Sequence, residues 1–256
     1  WPTTYGYQMF TYPWADMVGG IFYEHGHRML ATFVGALTLI LAIWLGYKDP
    51  RKSVKLLGYT ALVLVVVQGL LGGLTVLYFL PTAISLLHGV IAQTFFLVVI
   101  LIAYTLSKEF GERRHVQDKN RSIIIIFTIT LYLQLILGAW MRHTDSGLAI
   151  YDFPTMAGSW FPAFNESMLS TINSWRFDMD LSDVSLFQVL IHFFHRLGAL
   201  FILFLMVFIH IKMYQKSHHY SNTVKINLYA LEIIVGVQIL LGAITIWTAK
   251  SPFITS

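Results

Sequence analysis

An all-α integral membrane protein is what this sequence predicts, and three observations carry the prediction. Of its 256 residues, 56% are hydrophobic and only 12% charged, with a mean hydropathy of +0.65, outside the range of a soluble domain of that length. Six apolar runs are each about 20 residues long, enough to cross ~30 Å of hydrocarbon. Lys and Arg alternate from loop to loop, the pattern left when cytoplasmic loops keep basic residues and translocated loops do not.

The spans fall at about 22–46, 56–79, 83–106, 122–142, 186–211 and 226–249, with ends set to within about 2–4 residues. The first connection holds Lys48, Arg51, Lys52 and Lys55; the third holds Lys108, Arg113, Arg114, Lys119 and Arg121; the fifth holds Lys212, Lys216 and Lys225. These three face the cytoplasm. The long loop 143–185 carries Asp145, Asp152, Glu166, Asp178, Asp180 and Asp183 against Arg176, and lies outside with the N-terminal segment. The positive-inside bias accounts for most of the net charge of +4, so no nucleic-acid partner is expected. The loop aromatics Trp160, Phe161, Phe164 and Trp175 suit either a cover over a pocket or interfacial anchoring. No cysteine is present, which excludes disulfides, thiolate metal sites and covalent heme attachment.

Two segments repeat. Glu24-His25-Gly26-His27-Arg28-Met29-Leu30-Ala31 matches His192-Phe193-Phe194-His195-Arg196-Leu197-Gly198-Ala199 at an offset of 168. Val67-Gln68-Gly69-Leu70-Leu71-Gly72 matches Val237-Gln238-Ile239-Leu240-Leu241-Gly242 at an offset of 170, with a looser copy at Gln134-Leu135-Ile136-Leu137-Gly138. Phe153-Pro154 resembles Trp1-Pro2 in the same sense. Small residues at helical spacing also arise from transmembrane packing alone. The order of elements nevertheless predicts two repeats of four helices, with six of the eight present: 1–107 lacking its first helix and 121–256 lacking its last. Trp1-Pro2-Thr3-Thr4 has neither an initiator Met nor a signal-peptide pattern, which suggests a fragment.

Topology sorts the ten histidines. His115, His218 and His219 fall in cytoplasmic loops, and His143 and His210 at span ends read as interfacial. His27, His88, His192 and His195 lie inside the membrane, where ionisable groups are costly and functional by default, although one may simply bond a neighbouring helix. His27 and His88 each lie ~8–9 Å below the same surface at 1.5 Å per residue, so they can face one another across a bundle and form an axial pair for heme iron. His195 is the repeat counterpart of His27. The counterpart of His88 would fall at about 256–259, so a histidine is expected just after Ser256. Glu24 precedes His27 by three positions on one helix face, whereas His192 holds that place before His195; a carboxylate beside one site only suggests chemistry there, with pairing to Arg28 as the alternative. Arg28 and Arg196 are candidates for propionate pairing or for interfacial packing. His25 points roughly 200° from His27 and is left out of the site.

These residues, together with Arg142-His143-Thr144-Asp145-Ser146-Gly147-Leu148 after the fourth span, make the whole chain resemble the heme A synthase family, whose members have two four-helix halves related by pseudo-twofold symmetry. The resemblance implies that His27 and His88 ligate the substrate, heme O, with Glu24 as the essential carboxylate, and that His195 and the absent histidine hold a resident heme b. It implies oxidation of the C8 methyl of heme O to a formyl group by successive hydroxylation, with electrons leaving through heme b. It further implies a multi-pass protein of a bacterial or archaeal plasma membrane, surrounded by lipid, with a heme O synthase and an electron acceptor as candidate partners and oligomerisation left open. Many members carry cysteine pairs in external loops; this chain departs from that pattern, which suggests a cysteine-free subgroup. Two rivals use the same features: a diheme b-type cytochrome exchanging electrons with quinone, and a transporter.

Overall fold

The computed structural model describes residues 3, 6–112, 121–215 and 220–249. Among these there is no strand, an isolated bridge joins Met156 and Ser159, and the helices run α1 (Gly20–Lys48), α2 (Lys52–Leu77), α3 (Thr82–Leu106), α4 (Lys108–Glu112), α5 (Arg121–His143), α6 (Glu166–Asp178), α7 (Leu186–Tyr214) and α8 (Asn222–Trp247). All but α4 and α6 are long and apolar enough to cross a membrane, so the fold is all-α and multi-pass. Their outward faces expose Phe22, Phe33, Ile40, Trp44, Phe96 and Phe204, apolar area that suits lipid. Trp1-Pro2, Arg113, Arg114, His115, Lys119, Lys216, His218 and His219 lie outside the described residues, and so does the place where a further histidine is expected.

The chain divides into two compact units, Trp1–Val116 and Gln117–Ser256. In the first, α1 and α3 each pack along α2, and neither is closely packed on the other. Leu45, Val54, Ala61, Val98 and Ile102 form its buried cluster. Gly58 permits the approach of α1 to α2, since a Cβ there would stand 3.1 Å from Leu45 Cδ1 and 3.5 Å from the Ala42 backbone. In the turn after α1, Arg51 binds both carboxylate oxygens of Asp49 (Nη2–Oδ2 2.6 Å, Nε–Oδ1 3.0 Å) and donates to the Thr105 carbonyl at the end of α3 (2.8 Å). Those Arg51 bonds hold the Asp49 carboxyl down to about 2.

In the second unit α5 packs along α7, and Phe127, Ile202, Leu205, Met206, Ile209 and Val235 are buried between α5, α7 and α8. The long loop 143–185 is ordered. It folds into a cap with its own core of Ala149, Ile150, Met156, Met168, Ile172, Val184 and Val189, and contains α6. Asn165 caps α6 by accepting from the Met168 N–H at 2.9 Å, and Glu166 stands in its first turn, where the helix dipole favours an acid. The Asn173 side chain bonds both backbone groups of Val184 (2.9 and 3.1 Å) in the manner of a strand neighbour. Arg176 is buried against the carbonyls of Ser182 (2.6 Å) and Leu148 (3.0 Å); burial pulls its guanidinium below the ordinary value against the opposing pull of Asp183 and Asp145. The segment Arg142–Leu148 ends α5 with Asp145 in the left-handed region and buries Ser146 and Leu148, so it seeds the cap.

Candidate functional site

His27 lies seven residues past the start of α1 and His88 six past the start of α3. The levels therefore agree to about 1.5 Å along helices that both rest on α2. The two imidazoles are within electrostatic range of each other. Neither ring makes a hydrogen bond among the described residues, and His88 Nδ1 is buried without a partner. Glu24 is 59% exposed on the face of α1 that carries His27, and its carboxylate is ion-paired with Arg28 one turn on. His25, around the helix from that face, is buried with its ring 5.0 Å from the ring of Tyr12 in the N-terminal segment.

The corresponding positions of α7 are arranged differently. His192 is buried, its Nδ1 accepting from the Ile150 N–H at 3.1 Å and its Nε2 standing 3.1 Å from Arg196 Nε, so both ring nitrogens are occupied. Arg196 is 8% exposed; Nη1 donates to the Thr155 carbonyl (3.0 Å) and Nη2 to the Ile150 carbonyl (3.1 Å), and the group stands 5.8 Å from the Phe153 ring centroid. The structure thus commits Arg196 chiefly to the cap, with two of the five guanidinium N–H groups on its carbonyls. His195 is different again. Gln134 Nε2 lies 3.2 Å from its Nδ1, and its Nε2 bonds nothing among the described residues.

The donor set can be tested against heme. An axial imidazole needs one nitrogen free for iron and the other steadied by a neighbour. His195 leaves Nε2 free, and Gln134 steadies the residue by donating to its backbone carbonyl at 2.8 Å. His88 has a nitrogen orphaned in the interior and a glycine, Gly72, under its ring, where a Cβ would stand 3.2 Å from Cε1. His192 fails the first condition. Among the described residues no three His, Asp or Glu side chains converge on a bare metal ion.

Sequence reasoning brought His27, His88 and Glu24 into one unit and His195 with Arg196 into the other. It missed the backbone partners of His192 and Arg196, which have no side-chain signature, and the His25–Tyr12 contact. It also read His210 as interfacial, whereas His210 Nδ1 meets Glu232 Oε1 of α8 at 2.7 Å beside the ring of Tyr214. The loop aromatics divide: Trp175 stacks on Tyr151 (5.1 Å) and Phe164 packs on Phe193 (5.3 Å), while Trp160 and Phe161 are exposed.

Comparison with known proteins identifies the family of the chain. A family model described as cytochrome oxidase assembly protein matches residues 2–254. A heme A synthase of Halalkalibacterium halodurans is 28% identical over 259 aligned residues, covering 99% of this chain and 78% of that protein. One of Alkalihalophilus pseudofirmus is 26% identical over 98% of this chain and 77% of its own length, and one of Flavobacterium psychrophilum is 31% identical over 88% of this chain and 65% of its own. With a match running almost end to end, the chain belongs to the COX15-CtaA family of cytochrome oxidase assembly proteins.

Proposed function

We propose that this chain is a heme A synthase, an oxidoreductase that converts heme O to heme A by oxidising the C8 methyl to a formyl group through successive hydroxylation. The observation that carries the reading is the pair His27 and His88, two imidazoles free of protein hydrogen bonds at one level on helices that share a neighbour, with a carboxylate one turn from His27 in that unit alone. Relatives that bear the name heme A synthase support it.

In this reading the first unit binds the substrate. His27 and His88 take the two axial positions of heme O and fix the plane of the ring, so the porphyrin edge rather than the iron is presented for reaction. Both axial positions can be filled because the reacting carbon lies on the macrocycle. Glu24, sharing a face with His27, stands ready to take a proton or to balance positive charge developing at that carbon. Arg28 can exchange Glu24 for a heme propionate, since guanidinium matches either carboxylate, and that exchange frees Glu24 only when substrate is seated.

The second unit holds the resident group. His195 is its ligand, and heme b bound there would supply a one-electron carrier for the electrons released by the oxidation. His192 and Arg196 fasten the cap over the start of α7 and keep water from that side. In this reading the protein lies in a bacterial plasma membrane, with heme O, lipid and an electron acceptor as its partners; its six apolar helices and its bacterial relatives support the membrane assignment. The test is to supply heme O to the purified protein in membranes with an electron acceptor and to extract the pigments: heme A should appear with time, and recovery of heme B and unchanged heme O alone would overturn the reading in favour of a b-type cytochrome.

A further inference from the structure

Each of two candidate ligand histidines is gripped in the same way by the spanning helix that precedes its own. The Gln68 amide donates to the His88 backbone carbonyl at 2.9 Å, and a Cβ at Gly72 would stand 3.2 Å from His88 Cε1. The Gln134 amide donates to the His195 carbonyl at 2.8 Å, and a Cβ at Gly138 would stand 3.2 Å from His195 Cε1. Glutamine and glycine at i and i+4 share a helix face, so one ties the two helices together at the level of the ligand and the other leaves the space into which the ring folds. Gly198 completes the second grip, because a Cβ there would collide with the Gln134 amide oxygen. The two pairs are not repeat counterparts of each other, since Gln68 corresponds to Gln238 on α8. The same contact has therefore been built on different helices.

In both grips the glutamine Oε1 is buried without a hydrogen-bond partner, and in the first so is His88 Nδ1. At the second grip the Gln134 amide nitrogen, a donor, also faces His195 Nδ1 at 3.2 Å. We propose that Gln68 with Gly72, and Gln134 with Gly138, are positioning pairs that set the height and ring plane of the iron ligands His88 and His195. The proposal rests on the ligand assignment made above. A slip of one residue would move a ligand by about 1.5 Å and turn it by about 100°, which abolishes axial geometry, so a bond at the ligand's own carbonyl is where register matters most.

The test uses the full chain purified with its hemes, and reads reduction potentials and the low-spin electron paramagnetic resonance signal rather than turnover. Gly72→Ala should shift the g values of the heme in the first unit only, and Gly138→Ala those of the heme in the second, each with about tenfold weaker heme retention, as for other residues that support a metal ligand. Gly69→Ala, beside open space on α2, is the control that should change nothing. Gln134→Leu should shift the g values of the second heme and weaken its retention by removing the tie to the His195 carbonyl. Gln134→Glu, near in shape but without the N–H that holds the His195 carbonyl, should do the same with thermal stability retained, which separates positioning from loss of fold. Unchanged potentials and g values in these variants, while His88→Ala and His195→Ala each lose their heme, would overturn the proposal and leave the ligands standing. Retention of both hemes in the histidine variants would overturn the ligand assignment itself.

Discussion

The same three positions of a repeated helix are occupied in opposite ways in the two units. On α1, Glu24 and Arg28 bind each other and Glu24 is largely exposed, so the face around His27 is open. On α7, His192 and Arg196 are buried and fastened to the carbonyls and amide of the cap, so the face before His195 is closed. An open face with a carboxylate suits a site that a large substrate must enter and leave. A closed face suits a group that stays. The difference lies less in the histidines than in what the residues at i−3 and i+1 are bonded to.

The largest expected effect is on chemistry. Glu24→Gln should lower conversion of heme O by about 10²–10⁴-fold, the range of a lost general acid–base or charge-stabilising group, with heme content unchanged. His192→Gln, at the matching place on α7, should leave the chemical step intact and loosen the cap, which limited proteolysis of loop 143–185 would register. Normal turnover in Glu24→Gln would remove the carboxylate from the mechanism and erase the functional side of the comparison.

Next comes stability. Arg196→Ala strands the carbonyls of Ile150 and Thr155 in a buried setting and should cost about 3–5 kcal/mol, read as lowered thermal stability with early exposure of the cap. Arg28→Ala removes a pair whose acid is exposed and should cost less than about 1 kcal/mol. Equal losses would mean that the two faces are closed alike. Ile172→Ala, in the fully buried centre of the cap, should cost about 2–5 kcal/mol and leave spectra of the first unit unchanged.

How much of this was legible in the sequence follows from where each signal resides. The six spans were readable because a membrane demands continuous apolar runs, and the depth of His27 and His88 followed from counting along them. Glu24 with Arg28 was readable as an i,i+4 pair. The cap was not, because Ile150 and Thr155 act through backbone groups and the apolar residues Met168, Leu169 and Ile172 are too diluted to stand out; Asn165 before Glu166 was the one usable sign of α6. Gln68 and Gln134 were visible as a recurring pattern, yet packing alone explains such patterns until the histidine carbonyls are seen against them.

The smallest effect is one of pH, confined to the turn after α1. The Asp49 carboxyl is held down to about 2 by the side-chain and backbone bonds of Arg51, so its folded value lies below the ordinary 3.8. Its contribution is full above that ordinary value and is lost as the pH falls toward about 2. An acid titration of stability for wild type and Asp49→Asn should show the two curves separated at neutral pH and converging in that window.

The most direct measurement is the electron paramagnetic resonance spectrum of the protein loaded with heme O, for wild type, His27→Ala and His88→Ala. The account predicts a low-spin bis-histidine signal from the bound heme O in wild type, lost or converted to high spin in each single variant, while the signal assigned to His195 persists. An unchanged low-spin heme O signal in His88→Ala would contradict it.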